Sequence, residues 1–155
     1  MIAFYRLSER AQSMSTPSPD LRTRRMAVVN AHIQAETVQH DVSAVLATFH
    51  HPRYEVPAMG PAVDGGAAVH DLLTALLGAF PDFWAQPSAI YHADDAVIVE
   101  LRFGGTQRDT WAGIPATGKT FAVQGACIFL FEGDKLICEK VYFDHATVLS
   151  QLRGD

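Results

Sequence analysis

The amino-acid sequence predicts an α+β domain in which three N-terminal helices pack on one face of a curved antiparallel sheet. Two observations support this fold class. Apolar residues recur with a helical period in the first half of the chain, and beyond Pro81 the period changes to two, as in strands. With 155 residues, of which 48% are apolar and 19% charged, the chain has the size and hydrophobicity of one domain with a core.

The first residues are expected to lie outside this domain. Residues 1–19 include a stretch rich in Ser, Thr and Pro, which is typical of a flexible arm, and the folded domain is expected to cover residues 20–155. Met14 is an alternative start of the native chain, which would make residues 1–13 an extension.

The three helices are predicted from apolar stripes and from capping residues. Asp20 or Thr16 is suited to cap the first helix, Asp41 caps the second, and Pro81 ends the third. The third has the clearest stripe, with apolar residues at i, i+3, i+4, i+7 and i+11. The predicted spans are 21–39, 42–49 and 65–80.

The rest of the chain is predicted to form antiparallel strands with short turns. In the turn "EGDK", Gly133 occupies the position at which a type II′ turn needs a positive φ. The segment "HATVLSQL" after the last strand is compatible with a short helix. The predicted strands are 88–92, 96–107, 120–131 and 135–143.

The charge pattern and the cysteine count exclude several classes of protein. A formal net charge of −5, from 12 basic and 17 acidic residues with no basic cluster, argues against a nucleic-acid partner. No apolar run approaches the roughly 20 residues that span a bilayer, so no membrane partner is expected. Cys127 and Cys138 lie in strand-like runs without metal-ligand spacing. They are interpreted as buried thiols of a cytoplasmic protein.

The stretch "GIPATGKT", residues 113–120, matches the pattern of a phosphate-binding loop. Such a loop works because it leads from a strand into a helix whose first N–H groups point at the anion. Here the following residues, "TFAVQGACIFLF", favour a strand, and Pro115 removes one N–H group. The segment is therefore predicted to connect two strands, and no nucleotide is expected.

The motifs "RFGGTQ", "WAGIPATGK", "FEGDKL" and "VYFD" followed by "LSQL" resemble the SnoaL-like polyketide cyclases of the nuclear transport factor 2-like superfamily. The resemblance runs from about Leu21 to Leu152. It implies a cone-shaped α+β barrel with a deep pocket, often a homodimer, that acts on a small molecule without metal or cofactor. This architecture agrees with the helices and strands predicted from periodicity.

Counting outward from the "EGDK" turn predicts which residues face the pocket. The count places Cys138 opposite Phe129 and Tyr142 opposite Gly125, with Asp144 on the same face. Strict alternation also puts Lys140 there, so either the strand bulges or the lysine reaches past the wall to water. In the preceding strand, a row beginning at Val97 contains Phe103 and, if regular, ends at Gln107.

The resemblance implies that Asp144 is the catalytic acid/base. In the family the matching residue takes a proton from a carbon beside a carbonyl in an intramolecular aldol condensation. That task needs a carboxyl group in apolar surroundings, where desolvation raises its pKa. The alternative is that Asp144 is the N-cap of the last helix, which would lower its pKa.

Other candidate residues complete the predicted site. Gln107 stands where the family often has a His; because an amide can only form hydrogen bonds, Gln107 is expected to help Asp144 in catalysis by orienting a ligand carbonyl. Arg53 is a candidate anion anchor, against the alternative of a surface ion pair with Glu55. The remaining candidates for substrate contact are Tyr142, Phe129, Trp111, Phe103, His51 and Trp84.

A possible metal site is also visible in the sequence. His32, Glu36 and His40 recur every four residues and share one helix face. Because no further ligand motif accompanies them, a solvated face is the preferred interpretation, and no metal is expected.

We therefore expect a cofactor-free enzyme of the cyclase or isomerase type that acts on an apolar carbonyl compound. Fold alone does not select the reaction, because epoxide hydrolases share this scaffold. The alternatives from other classes are a small-molecule-binding protein without turnover and a structural dimerisation module.

Overall fold

The computed structural model describes residues 16–155, so Met14 and most of the expected arm lie outside the described residues. In chain order the helices are α1 (Pro19–Gln34), α2 (Val42–Ala47), α3 (Gly66–Ala79) and α4 (His145–Arg153), and a π-helical turn (Ala35–Gln39) extends α1. The strands are β1 (Arg53–Glu55), β2 (Val63–Asp64), β3 (Trp84–His92), β4 (Ala96–Thr106), β5 (Thr120–Glu132) and β6 (Lys135–Phe143).

The helix boundaries follow capping chemistry. The side chain of Ser18, not Asp20 or Thr16, accepts a hydrogen bond from the backbone N–H of Leu21, and Pro19 takes the first helical position. Asp41 caps α2 as predicted, because its carboxylate accepts from the N–H of Ala44 at 3.0 Å.

The six strands form one curled sheet in the order β2-β1-β6-β5-β4-β3, with β2 and β3 as its edges. The pairs from β3 to β6 are antiparallel, as predicted. Strand β1 pairs with β6 in parallel, which corrects the expectation of a purely antiparallel sheet. The four helices pack on this mixed sheet, which is curled and not closed into a barrel.

A β-bulge in β6 changes which residues face the helices. The turn has the predicted register, with Glu132 opposite Lys135, and Gly133 has a φ of 62°. The next pairs join Phe131 to Leu136 and Leu130 to Cys138, so Ile137 is an extra residue. Beyond Ile137, every side chain of β6 lies on the face opposite to the one predicted by counting from the turn. Of the two alternatives stated for Lys140, the bulge is therefore the correct one.

The core lies between the inner face of the sheet and the helices. The predicted row of β4 is confirmed, since Val97, Val99, Leu101 and Phe103 are all buried. Arg25 is buried too, and its guanidinium donates to the backbone carbonyls of Gly133, Ala93 and Asp94. It therefore joins α1 to the turns at one end of the sheet.

Residues 113–119 belong to the connection between β4 and β5, and Thr120 begins a strand, not a helix. This confirms that the stretch has no phosphate-loop context. Among residues 16–155, none of the helices combines the length and apolar character that crossing a bilayer requires.

Candidate functional site

A cavity of about 100 Å³ lies between the inner face of the sheet and the helices. Its wall is mostly aromatic and aliphatic, and the polar side chains Glu36, Tyr54 and Glu139 also line it. The volume is below the roughly 300–1,000 Å³ of ordinary ligand pockets, so a larger ligand must displace flexible wall side chains such as Met59. Its aromatic residues are Phe80, Phe83, Phe103, Trp111, Phe121, Phe129 and Phe143.

A group of buried polar side chains, which we call the carboxylate cluster, consists of His32, Glu36, Tyr54 and Glu139. Helix α1 supplies His32, and the π-helical turn that follows supplies Glu36 one turn later. The parallel pairing of β1 with β6 places Tyr54 beside Glu139. Helix α1 with its π-helical turn and the strands β1 and β6 therefore direct polar groups toward one region of an otherwise apolar interior.

The distances within the carboxylate cluster center on Nε2 of His32. This atom lies 2.9 Å from Oε2 of Glu139, 2.9 Å from the Tyr54 hydroxyl and 3.7 Å from Oε2 of Glu36. The Glu139 oxygen is in ion-pair contact but has no aligned hydrogen-bond donor among the described residues. It thus retains capacity to accept a proton or a further hydrogen bond.

The other nitrogen of His32 is held by Thr48. Nδ1 lies 2.8 Å from the Thr48 hydroxyl oxygen, and that hydroxyl donates its hydrogen to the carbonyl of Val45 at 2.6 Å. Because the hydroxyl hydrogen is already used, its oxygen accepts from His32 and Nδ1 must carry a proton. Any further proton on the ring therefore sits on Nε2, facing the carboxylates.

The two carboxyl groups have opposite pKa shifts. Burial and the nearby charge of Glu139 raise the pKa of Glu36 from its ordinary 4.5 to about 8, against the smaller opposing effect of His32. Burial also acts to raise the pKa of Glu139, but the positive charge of His32, with smaller effects from the nearby Tyr54 hydroxyl and Cys127 thiol, lowers that pKa below the ordinary value. At neutral pH Glu36 is therefore protonated and Glu139 ionised.

His32 supplies the balancing charge. Burial acts to lower its pKa, but the negative charge of Glu139, with a smaller contribution from Glu36, raises it above the ordinary 6.5. A protonated His32, an ionised Glu139 and a neutral Glu36 have a combined charge of zero, which suits an interior position. The cavity thus faces both a carboxylic acid that can donate a proton and a carboxylate that can accept one.

The same residues are the ones that offer metal-ligand chemistry. Ligand atoms of His32, Glu36 and Glu139 lie within 4.8 Å of one another, the one such group among residues 16–155. Their charges balance without a cation, and the Tyr54 hydroxyl already contacts the nitrogen to which a metal would bind. We therefore interpret the cluster as an acid/base site.

Asp144 lies away from the cavity. Its exposed carboxylate accepts from the backbone N–H and the hydroxyl of Thr147, at 3.1 Å and 2.6 Å, and caps α4. These hydrogen bonds lower its pKa. The expectation of an Asp144 carboxyl in apolar surroundings is therefore wrong, and the alternative of an N-cap is confirmed.

Gln107 is fully buried but does not line the cavity. Its amide nitrogen donates to the carbonyl of Ile114 at 2.8 Å, and its amide oxygen accepts from the Thr117 hydroxyl at 2.8 Å. Both ends of the amide therefore hold the loop between β4 and β5, and the side chain is directed into that loop and not into the cavity.

The remaining predicted residues divide into two sets. Phe103, Trp111 and Phe129 line the cavity, and their contact with a substrate stays a prediction. Four others lie elsewhere: Tyr142 is 45% exposed, exposed His51 pairs with Asp64, Arg53 pairs with Glu55 as the alternative stated, and Trp84 packs under the guanidinium of Arg102.

Glu139 and Tyr54 were not among the residues predicted from the sequence, and His32 and Glu36 were predicted as surface residues. The four-residue spacing of His32 and Glu36 was a usable signal, but the preferred interpretation of a solvated face is wrong for both, since they are 0% and 8% exposed. His40, the third member, instead contacts the carbonyl of Phe83 at 2.7 Å. The count placed Cys138 and Lys140 on the pocket face and so passed over Glu139 between them, because the bulge at Ile137 leaves no sequence signal.

Comparison with known proteins identifies the relatives of this chain. The sequence profile of the SnoaL-like polyketide cyclase family matches residues 27–152. No curated protein matches the chain.

Solved structures share the fold at low sequence identity. A Jannaschia sp. CCS1 protein, described as a candidate SnoaL-like polyketide cyclase, has a TM-score of 0.76 and 18% identity, covering 90% of this chain and 97% of its own. TsrD from Streptomyces laurentii has a TM-score of 0.72 and 23% identity, covering 84% and 96%. TerC, co-crystallised with polyporic acid, has a TM-score of 0.69 and 14% identity, covering 84% and 98%.

Proposed function

Because the chain belongs to the SnoaL-like polyketide cyclase family, we propose that it is a cofactor-free acid/base enzyme of the cyclase or isomerase type. Its substrate is a small, largely apolar carbonyl compound that binds in the cavity. The co-crystallisation of the structurally similar TerC with polyporic acid supports a small organic ligand in this fold.

In the proposed reaction the two carboxyl groups have different roles. Glu139, ionised, takes a proton from a carbon beside the substrate carbonyl, and Glu36, protonated, donates a proton to the oxygen that gains negative charge. The apolar wall excludes water and strengthens both interactions. Tyr54, which lines the same cavity, donates a hydrogen bond to the substrate oxygen in this proposal.

One observation carries this proposal: two buried carboxyl groups with opposite pKa shifts face the same apolar cavity. Neighboring groups whose environments separate their pKa values in this way provide an acid and a base at one pH. Burying ionisable side chains in an otherwise apolar wall has an unfavourable free energy. Their presence there therefore favours a reactive site.

The proposal is tested by hydrogen–deuterium exchange into ketones. Aliphatic ketones, aromatic ketones and 1,3-diketones are incubated with the protein in D₂O, and loss of the signal of the protons beside the carbonyl is followed by NMR. We expect exchange above the buffer rate for at least one compound. Glu139→Gln should slow it at least 100-fold, because general bases contribute about 10²–10⁴-fold.

Two further variants separate the possible outcomes. Glu132→Gln removes an exposed carboxylate at the end of β5 and should retain the rate of exchange. Asp144→Asn tests the residue that family resemblance indicated: if it abolishes exchange and Glu139→Gln does not, the base is Asp144. If the wild-type protein binds these ketones but catalyses deuterium exchange into none of them, it is a small-molecule-binding protein and not an enzyme of this type.

We propose a homodimer in the cytoplasm, without nucleic-acid or membrane partners. The acidic net charge of −5 supports the absence of a nucleic-acid partner. Both cysteines are free and buried, which is consistent with a reducing compartment.

A further inference from the structure

The His32 ring is surrounded by acidic side chains, whose ionised forms a positive charge stabilises. The titratable groups around the ring are Glu36 on the π-helical turn, Tyr54 on β1 and Glu139 on β6, with Cys127 on β5 beyond Glu139. Neither Lys nor Arg lines the cavity among residues 16–155. His32, which contacts Glu36 and Glu139 but does not itself line the cavity, is thus the cation available to these two carboxyl groups.

The geometry places this cation within reach of both carboxyl groups. Nε2 lies 2.9 Å from an oxygen of Glu139 and 3.7 Å from an oxygen of Glu36, both inside ion-pair range. The His32 side chain is 0% exposed, so water cannot replace either partner. A single charge between two carboxylates can stabilise either one, though not both fully.

The ring is fixed in this position from the opposite side. The Thr48 hydroxyl oxygen accepts a hydrogen bond from the N–H at Nδ1, and the rings of Phe49 and Phe129 contact the imidazole edge to face, with centroids 5.2 Å and 5.4 Å away. Reorientation of the ring would break the Thr48 hydrogen bond and both aromatic contacts. Nε2 therefore stays directed at the carboxylates.

We propose that His32 is a positioning residue that remains protonated throughout the reaction and serves as the shared counter-charge of Glu36 and Glu139, with Thr48 holding its orientation. This inference rests on the proposed function.

The charge balance shows why a shared cation is useful. Before reaction Glu139 is ionised and Glu36 protonated. A C–H bond of the substrate breaks and an O–H bond forms on Glu139, while the O–H bond of Glu36 breaks and its proton joins the substrate oxygen. Glu36 is then the ionised group, and the cluster still has a combined charge of zero with His32 unchanged. A proton exchanged between the two carboxyl groups restores the starting state.

The test is the charge state of His32 in the ligand-free protein, read by ¹⁵N NMR of its ring nitrogens at pH 7. We expect an imidazolium in the wild type, in Glu36→Gln and in Glu139→Gln, because one carboxylate remains in each. In the Glu36→Gln/Glu139→Gln double variant His32 should be neutral. Gln matches Glu in size, and circular dichroism shows whether each variant folds.

Two results would overturn the proposal. A neutral His32 in the wild type would remove the counter-charge altogether. A neutral His32 in Glu139→Gln would show that Glu139 is its sole partner and that Glu36 does not share it. Both results are independent of turnover, so they are distinct from a failure to find deuterium exchange.

Variants of Thr48 test the positioning. Thr48→Val keeps the shape but removes the acceptor, whereas Thr48→Ser keeps the hydroxyl and is the matched control. In Thr48→Val the affinity of His32 for its proton should fall about tenfold, and in Thr48→Ser it should stay close to the wild-type value. Equal proton affinities in the two variants would contradict a role for Thr48.

Discussion

At the scale of single residues, the protonated side chain of Glu36 is the feature with the widest consequences. A carboxylic acid that stays neutral at pH 7 must be shielded from water, and any nearby cation must stabilise its ionised form too weakly to offset that burial. Both conditions hold at Glu36. His32 is nearer to Glu139 than to Glu36, by 2.9 Å against 3.7 Å, so the stronger ion pair belongs to Glu139. This asymmetry separates an acid from a base.

The raised pKa of Glu36 makes stability depend on pH. The unfolded chain loses this proton near the ordinary pKa of 4.5, and the folded protein loses it near 8, so the folded state binds more protons in between. The free energy of unfolding should therefore fall as pH rises through this window, by up to about 1.4 kcal/mol per pH unit from Glu36. Above about pH 8 Glu36 is ionised in both the folded and the unfolded state, and the stability that its neutral form contributes is lost.

The variant Glu36→Gln is the measurement of that contribution. Gln imitates the neutral acid, so we expect urea unfolding from pH 4.5 to 8 to show a shallower loss of stability than in the wild type. Exposed Glu132→Gln is the control and should retain the wild-type slope. Parallel curves for Glu36→Gln and the wild type would show that Glu36 is already ionised in the folded protein.

At the scale of secondary structure, Asp144 contributes through the helix that it caps. Both of its carboxylate oxygens are engaged by Thr147 at the start of α4. Replacement by Ala should cost about 1 kcal/mol of stability, whereas Asn caps helices about as well as Asp and should cost less. Thermal unfolding of Asp144→Ala and Asp144→Asn checks this. Equal losses in the two variants would mean that the charge, not the cap, is what matters.

Two glycines let neighboring strands approach closely. A Cβ at Gly104 would collide with the carbonyl oxygen of Phe121, and one at Gly125 would lie 2.6 Å from that of Tyr142. Backbone oxygens cannot move aside as a flexible side chain can. The strands must therefore shift if either glycine gains a side chain.

We accordingly expect Gly104→Ala to destabilise the protein by about 1–3 kcal/mol. Gly78 near the end of α3 has nothing within 4 Å of the corresponding position, so it provides the control. Gly78→Ala should be neutral or stabilising by up to about 1 kcal/mol. Chemical denaturation of the two variants gives the comparison, and a neutral Gly104→Ala would show that the strands separate easily.

The elements were predictable from the sequence because periodicity and turn chemistry are local. The row beginning at Val97 and the positive φ of Gly133 both follow from a few neighboring residues. Strand β1 was not predictable as part of the sheet, since its three residues are too short to show a period and its partner lies in β6.

The site was less predictable because it depends on one residue of register. Ile137 inserts into β6 without any turn or glycine signal, and it moves Glu139 to the inner face and Tyr142 to the outer face. The pKa of Glu36 depends on Glu139, a residue about a hundred positions away, which no local pattern reveals. Long-range burial, not residue type, creates the acid and the base.

At the scale of the whole molecule, the two faces of the sheet differ in role. The inner face holds the cavity, and the outer face carries an apolar row across β3, β4 and β5, formed by Tyr91, Ile98 and Ile128 in register. Tyr91 is 50% exposed, and Tyr142 on the same face is 45% exposed. Exposed apolar residues on one sheet face are typical of a protein–protein contact.

This face is the expected contact of the proposed homodimer. Light scattering after size exclusion should give twice the chain mass of 16.9 kDa. Ile128 lies opposite Lys140 in the sheet, so Ile128→Lys places two positive charges side by side and should give a monomer. Val38, 69% exposed on the helical side, is the control, and Val38→Lys should remain dimeric. A wild-type monomer would refute the dimer, and a dimer that persists in Ile128→Lys would place the contact on another face.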